Sequence, residues 1–144
     1  MGDDDLLILM LVRLVNLTGR PFEQRVGKPH QLTLNEWRVM AMVATQPGCN
    51  ATQVAEYSGM DKMAVSRALT GLQHAKRLQR HEDPADQRSS RLSLSAAGSA
   101  VYAAALARAQ ERESELFADM TARERELLSA MLDKLIASVR KADG

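Results

Sequence analysis

Lys62, Met63, Ser66, Arg67, Thr70 and Gln73 recur at helical spacing, with cationic and short polar side chains gathered near the N-terminal half of the segment. Such groups bond to phosphate oxygens and to the edges of bases when the N-terminal part of a helix enters the major groove of DNA. On the other side of the same segment, Val65, Ala68, Leu69 and Leu72 are spaced to face a core. An ordinary helical hairpin whose Lys and Arg only keep it in solution would show the same two faces, so the surrounding elements must decide between the readings.

Upstream, Asn50 can cap a short helix containing Val54, Ala55 and Tyr57, Ser58-Gly59-Met60 turns the chain, and Asp61 can cap the helix that carries the polar stripe. Gly59 suits the left-handed backbone position of a tight turn, and Ala55 is small where two helices must cross closely. This is a helix-turn-helix pattern. Downstream, residues 77–81 and 90–94 read as strands, the second alternating Leu with polar residues. Between them, residues 82–89 contain an Asp83-Pro84 pair that opens a type I turn. A hairpin directly after the second helix makes a winged helix-turn-helix, and its tip can set Arg88 in a neighbouring minor groove.

The 144 residues, 45% hydrophobic and 26% charged, suit one globular domain with an ordinary core. With 3% aromatic residues, that core must be Leu, Val, Met and Ala, which favours helix over sheet. The net charge of +1 hides an uneven distribution, because residues 62–91 hold seven Lys or Arg against three acids, while the remainder holds twelve against fifteen. A basic middle between acidic flanks fits a nucleic-acid-contacting module, although a solvated charged face fits the count equally. The longest apolar run, residues 6–12, is far shorter than a membrane span and follows Asp3, Asp4 and Asp5, the wrong charge for a secretion signal. No membrane association and a cytoplasmic location are the expectation.

Helices flank the winged region on both sides. Residues 3–26 carry Leu6, Leu7, Leu9, Met10, Leu14, Leu17 and Phe22, with a kink or break expected at Gly19 and Pro21 and about one further turn beyond. A linker is expected at residues 27–31. Thr33 and Glu36 have the spacing of a capping box that opens a helix with Trp37, Met40, Ala41, Val43 and Ala44 inward. After the wing, Ser95 can cap a long Ala-rich helix, and Thr121 with Glu124 opens a last one containing Leu127, Leu128, Met131, Leu135, Ile136 and Val139. The terminal helices are too apolar to stand alone, and either a second copy covers them or they cover one another in a monomeric bundle.

Taken together, these residues resemble the MarR family of winged helix-turn-helix transcriptional regulators. The likeness runs through Leu32-Thr33, Trp37-Arg38-Val39, Val54-Ala55, Val65-Ser66-Arg67 and Leu72, then Arg80, Asp83-Pro84, Asp86 and Arg88, to residues 92–98 (Leu-Ser-Leu-Ser-Ala-Ala-Gly). It spans about residues 6–140. The resemblance implies a mainly α fold with a small β-hairpin wing, residues 1–31 and 96–144 forming a helical dimerisation region and residues 32–95 binding DNA. It further implies that Asp86 holds Arg88 for the minor groove, that Lys62, Met63, Ser66, Arg67, Thr70 and Arg80 contact DNA, and that the partners are a second copy and a pseudo-palindromic duplex operator. A small-molecule effector, often phenolic or aromatic, is implied as well, with Arg13, Asn16, Trp37 and Met40 as the lining and Arg13 pairing with an anion. Three features depart from the family pattern: Met63 stands where a small polar residue is common, Gly71 interrupts the reading helix, and the first helix has no cysteine.

Catalysis finds no motif. His30, His74 and His81 are scattered, and neither a metalloprotease spacing, a nucleophile elbow nor a phosphate-binding glycine loop is present. No cofactor or metal is expected, since His81-Glu82-Asp83 are adjacent residues that alternate in direction along a strand. Cys49, the single cysteine, reads as a small packing residue without a cationic neighbour in sequence to lower its pKa. Two other functions stay open on the sequence, a thiol- or metal-switched DNA-binding sensor and a winged-helix module that binds protein.

Overall fold

A computed structural model of the chain describes residues 6–143, with all their side chains except those of Gln87 and Arg88. The order is α1 (Leu7–Phe22), a π-helical segment (Glu23–Gly27), α2 (Lys28–His30), α3 (Leu34–Thr45), α4 (Ala51–Ser58), α5 (Lys62–His74), β1 (Leu78–Asp83), β2 (Asp86–Leu94), α6 (Ala96–Leu116) and α7 (Ala122–Asp143). The fold is thus mainly helical with a two-stranded antiparallel wing, as the composition and turn signals predict. The chain forms two compact units, one up to Ala109 and one from Gln110 onward.

Within the first unit, a single apolar cluster joins Val39, Met40 and Val43 of α3, Val54 and Ala55 of α4, and Leu78 and Leu92 of the wing. Val65, Ala68, Leu69 and Leu72, the positions expected to face inward, are the buried residues of α5. Phe22, Val26 and Ala105 enter the same cluster, so helices on either side of the winged region share its core. The predicted N-caps form by local chemistry. Thr33 and Glu36 exchange side-chain and backbone bonds at 2.9 and 3.0 Å, as do Asn50 and Gln53 at 2.9 and 2.8 Å.

Two expectations are corrected. Gly19 and Pro21 do not break α1, which continues to Phe22 and passes through the π-helical segment into α2. Pro21 removes one rung of the ladder and the chain carries on in the wider π register, so most of the expected linker at residues 27–31 is helical and ends at Gln31 with φ 53°. The strands are also longer than expected. The turn narrows to Pro84-Ala85, where the Asp83 carboxylate accepts the Ala85 N–H at 3.0 Å. Glu82 pairs with Ser90 while Asp83 pairs with Asp86, which leaves residues 87–89 as a bulge on β2.

In the second unit, α7 opens with the second predicted box. The Thr121 N–H donates to Glu124 Oε1 at 3.0 Å and the Glu124 N–H to Thr121 Oγ1 at 3.1 Å. Arg125 lies 5.3 Å from the Phe117 ring centre. α7 has no buried residue and exposes Leu127, Met131, Leu132, Leu135, Ile136 and Val139. Among the described residues, no helix is long and apolar enough to cross a membrane.

Candidate nucleic-acid interface

Helix α5 is built from its turn outward. The C-cap of α4 is Gly59 with φ 74°, a left-handed conformation in which a Cβ would be strained, and its N–H donates to the Ala55 carbonyl at 3.0 Å. The Ser58 hydroxyl accepts the Met60 N–H at 3.2 Å, and the Asp61 carboxylate accepts the Ala64 N–H at 2.8 Å to start α5. The four buried apolar residues of α5 then fix its rotation. That rotation leaves Lys62, Met63, Ser66, Arg67, Thr70 and Gln73 exposed, and brings this predicted stripe together on one face.

Gly71 belongs to this arrangement. A Cβ there would run into the carboxylate of Glu36, the acid of the α3 capping box, so the missing side chain lets α5 approach α3. The helix-weakening effect of a mid-helix glycine is thereby offset by packing.

The wing is tied to the helix by side chains. Arg80 Nε donates to Gln73 Oε1 at 2.9 Å, which places the Arg80 guanidinium beside the exposed face of α5. Asp83 pairs with Arg91 at 3.6 Å, a bridge with its arginine largely in solvent that holds the tip of the hairpin. Asp86 is exposed at the tip. The side chain of Arg88, expected to meet the minor groove, lies outside the described residues, while its backbone is in the β2 bulge.

Three features had no sequence signal. Cys49 forms a β-bridge to Leu92, with the Gly48 N–H donating to the Leu92 carbonyl and the Leu92 N–H to the Cys49 carbonyl, both at 2.8 Å. This sets the start of α4 against the wing and creates a cleft of about 450 Å³ lined by Asn50, Thr52, Arg80, Asp86, Ser89 and Ser90, among others. Arg77 donates to the carbonyls of Gln31 and His30 at 3.0 and 2.9 Å, closing the C-terminal end of α2. Each contact joins residues far apart in sequence.

Of the residues expected to line an effector site, Trp37 packs against the core cluster that contains Met40. Arg13 and Asn16 are exposed on α1, and Trp37 is half-buried, stacked on Tyr102 at 5.6 Å and tilted to Phe22 at 6.4 Å. Met40 is fully buried, its position on α3 turning it into the core cluster. A cleft of about 690 Å³ does open between the end of α1 and the start of α3, but Phe22, Glu23, Lys28, Leu32 and Glu36 are among its lining and none of the four residues is.

Burial pushes the Cys49 thiol above its ordinary pKa, against a smaller lowering by a backbone hydrogen bond, so the neutral thiol is favoured over the reactive thiolate. Among the described residues, no group of three or more His, Cys, Asp and Glu is placed to hold a metal ion.

A model of the MarR family matches residues 30–89, the segment from the end of α2 into the wing. An HTH-type transcriptional repressor of Mycobacterium tuberculosis is 27% identical over 135 residues, which cover 94% of this chain and 96% of the relative. The homoprotocatechuate degradative operon repressor of Escherichia coli is 26% identical over 112 residues, covering 78% of this chain and 76% of the relative. The crystal structure of a MarR-family transcriptional regulator from Silicibacter pomeroyi superposes with a TM-score of 0.79 at 26% identity, over 90% of this chain and 87% of that one.

Proposed function

Since this chain belongs to the MarR family, we propose that it is a homodimeric, sequence-specific DNA-binding repressor that a small aromatic effector releases from its operator. The observation that carries this reading is the α5 face. One cation-bearing stripe is exposed to solvent at the N-terminal half of a helix whose opposite side is locked in the core, with Arg80 of the wing held beside it. In this reading Ser66, Arg67 and Thr70 meet base edges, Lys62 and Arg80 meet phosphates, and Asp86 positions Arg88 for the minor groove.

The exposed apolar side chains of α1 and of α7 favour self-association. Residues 1–31 and 96–144 then form the dimer region, and residues 32–95 the reading head. Two reading helices related by a two-fold axis require a pseudo-palindromic site with half-sites about 10 bp apart, or a multiple of that. Such a repressor works in the cytoplasm, where its operator is, and needs neither a cofactor nor catalysis.

For the effector, Arg13 and Asn16 lie three residues apart on the exposed part of α1, and a guanidinium pairs well with an aromatic carboxylate. A relative named for homoprotocatechuate degradation supports that ligand class. Trp37, the single tryptophan, stacks on Tyr102 and supplies one fluorescent reporter.

Selection of bound fragments from random duplex DNA tests the central claim. The expected outcome is a two-fold-symmetric consensus bound by a dimer, with affinity falling steeply as salt rises. A chain that stays monomeric and enriches no sequence at low ionic strength overturns it. Titration of aromatic carboxylates, followed by Trp37 fluorescence and operator release, tests the effector claim, and a silent panel removes it.

A further inference from the structure

Most of the exposed face of α5 is polar, and Met63 is the exception. It is 64% exposed on the first turn, with Ser66, Arg67 and Thr70 following at the i+3, i+4 and i+7 positions of the same stripe. A lone exposed apolar side chain needs no explanation by itself. Here its place supplies one, because the first turns of a reading helix are those that approach base edges. We infer that Met63 reads the 5-methyl group of a thymine in each half-site. The inference rests on the DNA-binding reading above and adds what that reading leaves open, the base chemistry the helix selects.

The chemistry follows from what each partner offers. In the major groove, thymine alone of the four bases presents a methyl group, while cytosine presents an N4 donor and adenine and guanine present polar atoms. A thioether side chain has no donor and only a weak acceptor, so it gives little to the polar edges and gains by covering the methyl. Its unbranched stem has the torsional freedom to follow that group. Asp61, the nearest acid on α5, has its carboxylate turned back onto the Ala64 N–H and serves as the cap.

The spacing sets a second constraint. Arg67 is one turn beyond Met63, about 6 Å along the axis at 1.5 Å per residue, which corresponds to about two base pairs at 3.4 Å each. Arg67 is the arginine of the stripe, and its planar guanidinium can bond bidentately to guanine O6 and N7. The half-site should therefore carry a thymine within about two base pairs of a guanine.

The test uses the full-length chain and the duplex recovered by selection, with each thymine replaced in turn by deoxyuridine, which removes the methyl and keeps the base pair. Burying one methyl is worth about 0.8 kcal/mol, so the wild type should lose about fourfold in affinity per half-site at one position and about fifteenfold when both are replaced. Met63→Ala should bind thymine and deoxyuridine duplexes equally, and Met63→Leu should keep the penalty. Both substitutions lie on an exposed position, and an unchanged circular dichroism spectrum verifies that the fold is retained. Selective binding with no deoxyuridine penalty, or a penalty that persists in Met63→Ala, overturns this inference alone. Failure to enrich any duplex overturns the DNA-binding reading together with it.

Discussion

Replacing Gly98 with alanine tests how the wing is joined to α6. A Cβ built at Gly98 overlaps the carbonyl oxygen of Arg77 and lies 2.8 Å from the carbonyl carbon and 3.1 Å from the Cα of the same residue. All three are backbone atoms, so no change of rotamer relieves the contact. The Arg77 carbonyl also accepts the Ser95 N–H at 3.1 Å, and Ser95 Oγ donates to the Lys76 carbonyl at 2.7 Å while accepting the Gly98 N–H at 3.0 Å. Pushing Arg77 away therefore disturbs the α6 cap as well. Alanine gains about 1 kcal/mol in helix propensity, overpacking costs about 1–3 kcal/mol and a lost cap about 1 kcal/mol, for a net destabilisation of about 1–3 kcal/mol. In urea, at fixed protein concentration, the midpoint should fall by about 1 M. Two other glycines calibrate the result. Gly19 has nothing within 4 Å of its built Cβ, so Gly19→Ala should stabilise by up to about 1 kcal/mol. At Gly71 the obstacle is the movable end of Glu36, so alanine should change stability little, its propensity gain offset by loosening of the Thr33 box. A Gly98→Ala midpoint at or above the wild type, or an equal loss in Gly19→Ala, would refute the packing argument.

In gel-shift titrations against the selected operator, Arg67→Ala should cost about 1–3 kcal/mol and relax specificity at one base pair, whereas Lys62→Ala should weaken all duplexes alike and lower the salt slope by about one. For Cys49, the raised pKa predicts slow alkylation by iodoacetamide near neutral pH, a rise only above the ordinary thiol range, and operator binding that survives peroxide; fast labelling at neutral pH would reopen the thiol switch. Hydrogen bonds from the Thr121 backbone and hydroxyl hold the Glu124 carboxyl below its ordinary value, so its stabilisation of α7 is present above the unfolded carboxylate pKa and lost as pH falls through the folded one. Circular dichroism between about pH 3 and pH 7 should show an acid loss of helicity that Glu124→Gln reduces.

What the sequence made legible was mostly local. The caps at Thr33, Asn50, Asp61, Ser95 and Thr121 involve bonds across three residues, so the residue types and their spacing are enough to place them. The α5 stripe was legible for a related reason, because Val65, Ala68, Leu69 and Leu72 assign one face to the core and leave the other side to solvent. The bridge from Cys49 to Leu92 and the reach of Arg77 to the carbonyls of His30 and Gln31 depend on which distant segments meet, and no periodicity encodes that. Gly71 shows the same limit, since its mid-helix cost is visible in the sequence while the Glu36 carboxylate that justifies it arrives from another helix. The burial of Met40 was not separable from a ligand-lining role, because on the apolar face of α3 a residue bound for the core and one bound for a ligand look alike. At the wing, an Asp-Pro turn was visible, but the bulge on β2 depends on cross-strand register.

The exposed surface of α7 constrains the proposed assembly. A helix of this length with no buried residue leaves its apolar side chains to solvent, and isolated helices are marginal in water, so those side chains favour a partner surface. Leu127, Met131, Leu135 and Val139 recur at four-residue steps along one stripe, the pattern of a helix that packs against another. In a two-fold homodimer each α7 would bury that stripe against the equivalent region of the second copy, and the same association would set the distance between the two α5 faces. In that assembly self-association and operator spacing would be coupled. Replacing Leu135 with aspartate should convert the protein to monomers in sedimentation experiments and lower its affinity for a two-half-site operator far more than for a single half-site. Equal losses on both duplexes would place the defect in the reading head and separate α7 from the dimer.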